Sequence, residues 1–488
     1  MSSDRPSVPL ASPAGRWTVA AAVLSSGAVF LESTVVTVAL PSLGRDLGLG
    51  LDGLQWVVNG YLLTLSALML LGGSLGDLFG HRRVLVAGLA AFVLTCAATA
   101  MAPNAPVLIA TRILQGAAGA ILVPSTLALL DVTIAPDDRG TAIGRWAAWS
   151  AVSTALGPLV GGWLVDAASW RWVFAVPLPF ALLALWIAAR RVPRTPARRG
   201  VRRVDWLGAV LVTLGLAAVT WALIAAPGRG LTHPTIVAAT VAGLALLAAF
   251  LAHERRTRDP MLPLSLFRSR QFTGANVVTL LVYAALGGLF FLSMLQLQNV
   301  LGYSGLRAGA ALLPINVLML LLSSTAGRIG QRIGPQWPIG MGALVAAAGL
   351  LLLARVQPGA SYAGTVLPAL TVFGLGLAAL VAPITAAVLG AVDDEHGGVA
   401  SAVNNAAARL AGLLATAALP LAAGLGDPGG ADGAGFGALY ARAMRLAAGL
   451  CALGAAVAFL TIRRGAAVRV TTHPSPLHGC VDARGKVA

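Results

Sequence analysis

Charge is what this chain has least of. Only 11% of its 488 residues are Asp, Glu, Lys or Arg, against about 25% in a soluble globular protein. So few charges cannot coat a water-facing surface, so a string of soluble domains is excluded. Lysine is nearly absent, Lys486 in the tail being the only one. That excludes a phosphate-binding loop Gly-x-x-x-x-Gly-Lys-Ser/Thr, and with it an ATPase of that type. The three cysteines, Cys96, Cys451 and Cys480, are odd in number and irregularly spaced. They indicate neither a disulfide framework nor a zinc site. All six histidines fall in predicted loops or the tail, which argues against an intramembrane hydrolase or metal site. The expectation is a non-enzyme without metal or cofactor. Strand-like alternation over about ten residues does not recur, so a membrane β-barrel is not indicated.

What fills the chain instead is apolar residue, 57% of the total. A helix needs about 20 apolar residues to cross the hydrocarbon core. Fourteen stretches meet that test: 17–40, 54–75, 84–102, 106–130, 143–165, 172–189, 206–226, 235–252, 272–295, 308–327, 338–354, 362–389, 399–424 and 437–462. The eighth is among the shortest. Turn signals separate them, among them Pro103-Asn104, Gly228-Arg229-Gly230 and Asp427-Pro428-Gly429-Gly430. The first run follows Arg16 and could mimic a signal peptide, but its length and Glu32 mark it as a retained helix. The fold class is all-α integral membrane with fourteen transmembrane helices.

The net charge of +16 suggests nucleic acid until the arginines are placed. With both termini on one side, 25 basic residues lie on that side and five on the other: Arg45, Arg171, Arg229, Arg307 and Arg355. That bias puts the termini in the cytoplasm; the membrane expected is a bacterial cytoplasmic one. The bias also makes membrane lipid the partner of the charge, and nucleic acid none. Tryptophans near span ends, such as Trp17, Trp170, Trp172 and Trp206, are expected as interfacial anchors.

Basic stretches divide the chain. A cytoplasmic N-terminus (1–16) precedes a six-helix half (17–189), and a basic loop (190–205) leads into a two-helix insert (206–252). A basic linker (253–270) then precedes the second six-helix half (271–462) and a cytoplasmic tail (463–488). Two six-helix halves enclosing a mid-membrane site is a common transporter plan. An internal echo supports it. Gly73-Ser-Leu-Gly-Asp77-Leu-Phe-Gly80-His-Arg82-Arg83 follows the second span, and Gly327-Arg-Ile-Gly-Gln-Arg332-Ile-Gly334 follows the tenth.

Glu32 is the only carboxylate well inside a predicted span. An intramembrane acid is costly and marks ion pathways, although a permanent structural ion pair is the plain alternative. Counting from the span ends puts Glu32 about 12 Å and Arg112 about 9 Å below the same surface. Gln115, Gly116 and Gly119 share a face with Arg112. Asp77 at the cytoplasmic turn, beside Arg82 and Arg83, is expected to face the start of the thirteenth helix at Gly397–Ser401. With Gly73 and Gly80 it would latch the halves in one state. Gly157-Pro158 and Gly161-Gly162 form a kink-prone segment. Arg409, after Asn404 and Asn405, either pairs across helices or contacts substrate. Gln296, Gln298, Asn299 and Asn316 are further polar groups on second-half helices.

These stretches together resemble the major facilitator superfamily, specifically its fourteen-helix drug:proton antiporters, over roughly 17–462. Glu32-Ser-Thr-Val-Val-Thr-Val-Ala-Leu-Pro41 resembles that family's first-helix motif, with Glu where Asp is usual. Gly73 to Arg83 resembles its loop signature, and Arg112-Ile-Leu-Gln115-Gly116 its fourth-helix motif for proton coupling. Gly157-Pro158-x-x-Gly161-Gly162 resembles its antiporter motif, with Ser153 where glycine is common. Trp170-Arg-Trp172-Val-Phe174 continues the match, but Pro177-Leu-Pro179 replaces the usual Asn-x-Pro. The resemblance implies alternating access powered by the proton-motive force, with small organic drugs, often cationic or lipophilic, leaving as protons enter. Rival expectations are a dedicated exporter of one endogenous metabolite, such as a self-made antibiotic, and a non-transporting receptor or assembly protein.

Overall fold

The computed structural model describes residues 8–195, 204–257, 260–393, 397–424 and 433–463. The predicted tail beyond 463, residues 1–7 of the N-terminus, 196–203 of the basic loop, 258–259 of the linker and the turn at 427–430 lie outside the described residues.

Among the described residues, fourteen helices are long and apolar enough to cross a membrane. In the first half they are span 1 (Pro13–Leu47), span 2 (Leu51–Phe79), span 3 (His81–Ala100), span 4 (Ala105–Thr133), span 5 (Pro136–Ala167) and span 6 (Arg171–Arg190). Span 7 (Trp206–Arg229) and span 8 (Pro234–Arg256) form the insert. The second half holds span 9 (Arg270–Val300), span 10 (Gly305–Ile333), span 11 (Gln336–Leu353), span 12 (Tyr362–Leu389), span 13 (Gly397–Ala422) and span 14 (Gly433–Thr461).

Several starts carry a recognisable side-chain cap. Ser12 accepts from Gly15 N–H ahead of Pro13, Asn104 from Val107 N–H ahead of Pro106, and Ser304 from Arg307 N–H. Helices outrun their apolar runs because backbone hydrogen bonding continues where side chains turn polar. Span 1 continues seven residues past Leu40, and span 8 ends at Arg256 rather than 252. Residues 73–79, expected as part of a turn, are the last two turns of span 2. The turn itself is Gly80 alone, at φ +90°, and its counterpart after span 10 is Gly334 at φ +98°. Only glycine takes that conformation without strain. The internal echo is therefore a matched pair of glycine turns, one residue long after span 2 and two, Gly334-Pro335, after span 10.

In the first half, span 1 packs on spans 4, 5 and 6, and span 4 on spans 2 and 3. In the second, span 9 packs on spans 13 and 14, span 12 on spans 10 and 11, and span 11 on span 14. Span 7 lies against spans 2 and 13, one from each half, and holds span 8 outside it. Only 17% of the apolar window of span 8 is buried in the protein, against 67% for span 1. Span 8 is thus a peripheral helix with most of its surface left for lipid.

The end of the bundle that carries Val8 and Ile462 is here the terminal end, and the opposite end the far end. Val8 pairs with the end of span 4, donating to Thr133 O and accepting from Ala135 N–H. The main apolar core fills the second half and continues into the far end of the first through Val35, Leu40, Leu43 and Trp170. A separate core around Leu65, Leu85, Phe92 and Leu122 holds the rest of the first half. The halves thus share one core at the far end, and a smaller cluster of Leu63, Ala67, Leu216 and Leu413 joins span 2 to span 13 through span 7 further in.

Candidate functional site

Span 1 delivers Glu32 and span 4 delivers Arg112 to the same buried point. Arg112 Nη1 donates to Glu32 Oε1 at 2.6 Å, with relative exposures of 2% and 0%. The same Nη1 reaches Gln115 Oε1 at 2.7 Å, one turn on. Arg112 Nε donates to Val57 O of span 2 at 3.0 Å. The guanidinium stacks 4.3 Å over Tyr61 and lies 5.6 Å from Phe174. Gln115 Nε2 passes the chain of contacts to Cys96 Sγ at 3.0 Å.

The approach of spans 2 and 4 makes this possible. A Cβ on Gly116 would collide with Tyr61 O, and one on Gly72 would sit 2.9 Å from Ile121 Cα. Glycine lets these backbones close to contact. Glu32 Oε2 has no hydrogen-bond partner among the described residues. A buried carboxyl with one oxygen bonded to a cation and the other bare has a defined place for a proton. Breaking such a pair by removing one partner costs about 3–5 kcal/mol.

Asp77 pairs with His81 Nε2 at 3.5 Å within its own half and is 39% exposed. Around Gly397 and Gly398, at the start of span 13, a Cβ would meet nothing within 4 Å. The expected meeting of Asp77 with that helix start is not among the contacts of this arrangement. Arg82 instead donates to Ala188 O and Ala189 O, capping the end of span 6, and its N–H donates to Thr195 Oγ1. Arg83 is exposed. Gly73 packs near Pro124, and the turn at Gly80 lies against Thr195 O.

The kink-prone segment of span 5 is a contact surface. Gly157 abuts Thr34, Gly161 abuts Val35, and Gly162 abuts the backbone of Gly305. Pro158 O meets Gly309 of span 10 just as closely. The first two glycines seat span 5 on span 1. Gly162 and Pro158 seat it on the other half.

Of the second-half polar groups, Asn404 donates to Thr279 Oγ1 at 2.8 Å and Asn276 Oδ1 at 3.2 Å, tying span 13 to span 9. Asn405 is exposed and donates back to Ser401 O. Gln296 is buried and holds Val356 O at 2.9 Å. Gln298 reaches across to Val38 O of span 1 at 2.9 Å. Asn299 is exposed and Asn316 half-buried. Arg409 lies over Phe30, 5.3 Å from the ring, between the halves.

Sequence reasoning missed Asp166. Its Oδ1 and Oδ2 accept from Gly305 N–H and Leu306 N–H, each at 2.8 Å, so an acid of span 5 caps span 10 across the halves. The signal was present, an acid one residue past a predicted span end and a Ser-Gly helix start in the other half. Trp170 also differs from its expected role as an interfacial anchor. It is buried and donates to Asp46 Oδ2 at 2.8 Å, because the extension of span 1 brings that acid to it.

The sequence profile of the Major Facilitator Superfamily matches residues 22–416. The tetracenomycin C resistance and export protein of Streptomyces glaucescens is 34% identical over 392 residues, covering 80% of this chain and 72% of that protein. The puromycin resistance protein of Streptomyces alboniger is 36% identical over 449 residues, covering 89% and 88%. A multidrug resistance protein of Mycobacterium tuberculosis is 35% identical over 381 residues, covering 78% and 70%. Among solved structures, a POT-family peptide transporter superposes with a TM-score of 0.66 at 15% identity, covering 92% of this chain and 98% of that one. A D-xylose-proton symporter gives a TM-score of 0.64 at 15% identity, with the same coverage. At those identities the solved structures speak for the fold. With the sequence relatives and the profile match, they make this chain a multi-pass membrane transporter of the Major Facilitator Superfamily.

Proposed function

We propose that the chain is a proton-coupled antiporter that exports small organic drugs or antibiotics across the bacterial cytoplasmic membrane by alternating access. The observation that carries this reading is Glu32, buried, paired through one oxygen with Arg112 and bare at the other. The resistance and export names of the relatives support the cargo class. Cytoplasmic termini, favoured by the arginine bias, make the arrangement described above one that is closed to the outside. In that state Glu32 Oε2 is the proton position, and Arg112 stabilises the charge once the proton leaves. One proton moving inward gains about 2.3 kcal/mol per 100 mV. The gain drives the cycle only if protonation favours one state over the other.

The test is Glu32→Gln in inside-out vesicles. Gln keeps the shape and an acceptor for Arg112 but cannot ionise. The expected outcome is a folded protein in which a pH gradient no longer drives drug uptake, while drug binding persists. Full gradient-driven uptake by Glu32→Gln would overturn the reading.

A further inference from the structure

Two arginines lie deep in this bundle, and their surroundings differ. Arg112 is held by Glu32, Gln115, Val57 O and the Tyr61 ring. Arg409 sits midway along span 13, twelve residues after Gly397 and thirteen before Ala422. No Asp or Glu pairs with it among the described residues, and no protein oxygen accepts from it. Its nitrogens are not among the groups sealed from water. An arginine at the centre of a helix span costs about 2.5–3.5 kcal/mol on insertion scales. Among the described residues, the contact that offsets part of that for Arg409 is an aromatic ring.

The ring in contact comes from the other half of the chain. Phe30 of span 1 lies 5.3 Å from the guanidinium, and Phe30 meets Trp146 of span 5 edge-on at 6.5 Å. The hydroxyls of Tyr61 (span 2) and Tyr283 (span 9) are within electrostatic reach of Arg409. Glu32 at most cancels the charge of Arg112, so Arg409 leaves this level of the bundle with a net positive charge in either protonation state. A planar guanidinium with free donors suits bidentate binding of a carboxylate, and its own flat face suits stacking on a flat ring. A cationic cargo would have to enter against the field.

We infer that Arg409 anchors the substrate site, and that the cargo it selects is a planar aromatic molecule bearing a carboxylate or acidic phenol. This rests on the exporter reading above and names its substrate class, against the cationic cargo that the family resemblance implies.

The test uses two probes with one ring system and opposite charge, anthracene carboxylate and anthracene methylammonium. Equilibrium binding to the full-length protein in lipid nanodiscs is read by fluorescence. The carboxylate should bind at least tenfold tighter than the ammonium. Arg409→Gln should weaken carboxylate binding about tenfold and leave the ammonium unchanged, while Arg409→Lys should fall between. The inference is overturned if wild type binds neither probe or favours the ammonium. It is equally overturned if Arg409→Gln, unfolding at the wild-type temperature, keeps the preference. If Arg409→Gln does not fold, Arg409→Lys decides, and an unchanged carboxylate affinity there overturns the inference. Vesicle transport separates this inference from the antiporter reading. Carboxylate-selective binding without gradient-driven movement defeats the antiporter alone. Gradient-driven transport selective for the ammonium defeats the Arg409 site alone.

Discussion

At Arg112, three spans are held by one guanidinium. It ties span 4 to Glu32 of span 1 and to the Val57 carbonyl of span 2. Arg112→Ala leaves the Glu32 carboxylate buried without a cation, which should destabilise the protein by about 3–5 kcal/mol. Removing both charges together, with Glu32→Gln and Arg112→Gln, leaves no unpaired charge and should recover most of that loss. Thermal unfolding in detergent measures both, and a single variant as stable as the double would show that the pair contributes nothing to folding. The pair was legible in the sequence because intramembrane charges are so scarce that matching depths nearly dictates the partner. Depths counted from the apolar ends of the runs agreed, although span 1 continues to Leu47. The neutral members of the cluster, Tyr61 and Cys96, left no such signal. In a chain this apolar, a tyrosine or cysteine within a helix looks the same whether it packs or bonds.

Single helices are set by their ends, and the insert shows how much an end can carry. Asp205 caps span 7, accepting from Gly208 N–H at 2.8 Å, and the same Oδ1 meets His253 Nε2 of span 8 at 2.8 Å. Beyond its packing on span 7, span 8 has little to hold it, being buried over only 17% of its apolar window. Burial works to raise the Asp205 carboxyl, but hydrogen bonds from Gly208 and His253 outweigh it and hold the group below its usual range. A carboxyl depressed in the folded state contributes stability above its unfolded value, about 3.9. That contribution is lost as pH falls through the lower folded value. Asp205→Ala should therefore cost about 1 kcal/mol at neutral pH, as for loss of a helix cap. The gap in unfolding temperature between it and wild type should narrow below about pH 4. A gap of constant size across that range would remove ionisation from the account. The helix ends were the least legible elements. Gly73 to Phe79 looked like a turn because its residues are small and polar, yet helical hydrogen bonding runs on to Gly80. The eighth span, short as an apolar run, is a full 23-residue helix because its last turn is built from His253, Glu254, Arg255 and Arg256.

For the molecule as a whole, the spacing of basic stretches suggested two halves and an insert. It carried no sign of how the first six spans touch the last six. Gly157, Pro158, Gly161 and Gly162 stood out as a kink, a property of one helix. Gly162 and Pro158 in fact form the meeting surface with span 10, a pairing between residues more than 140 positions apart that no local pattern encodes. The surface has two parts with different tolerances. Asp166 contributes two hydrogen bonds to the start of span 10, but it is exposed, so its loss should weaken closure by about 1 kcal/mol. That is roughly a fivefold shift in population. Gly162 meets backbone, and a Cβ there would stand 2.6 Å from both Leu306 Cα and Gly305 C, atoms that cannot swing aside. Gly162→Val should therefore hold the far end apart and shift the population more than Asp166→Ala does. Spin-label distances between the far ends of spans 5 and 10 read this directly. The expected order of the long-distance fraction is Gly162→Val above Asp166→Ala above wild type. Because alternating access needs both states, Gly162→Val should also slow transport while leaving the Glu32–Arg112 pair intact, since that pair lies within one half. A variant that kept the wild-type distance distribution would place closure elsewhere, on the Gln55–Thr416 and Gln298–Val38 hydrogen bonds that also join the halves.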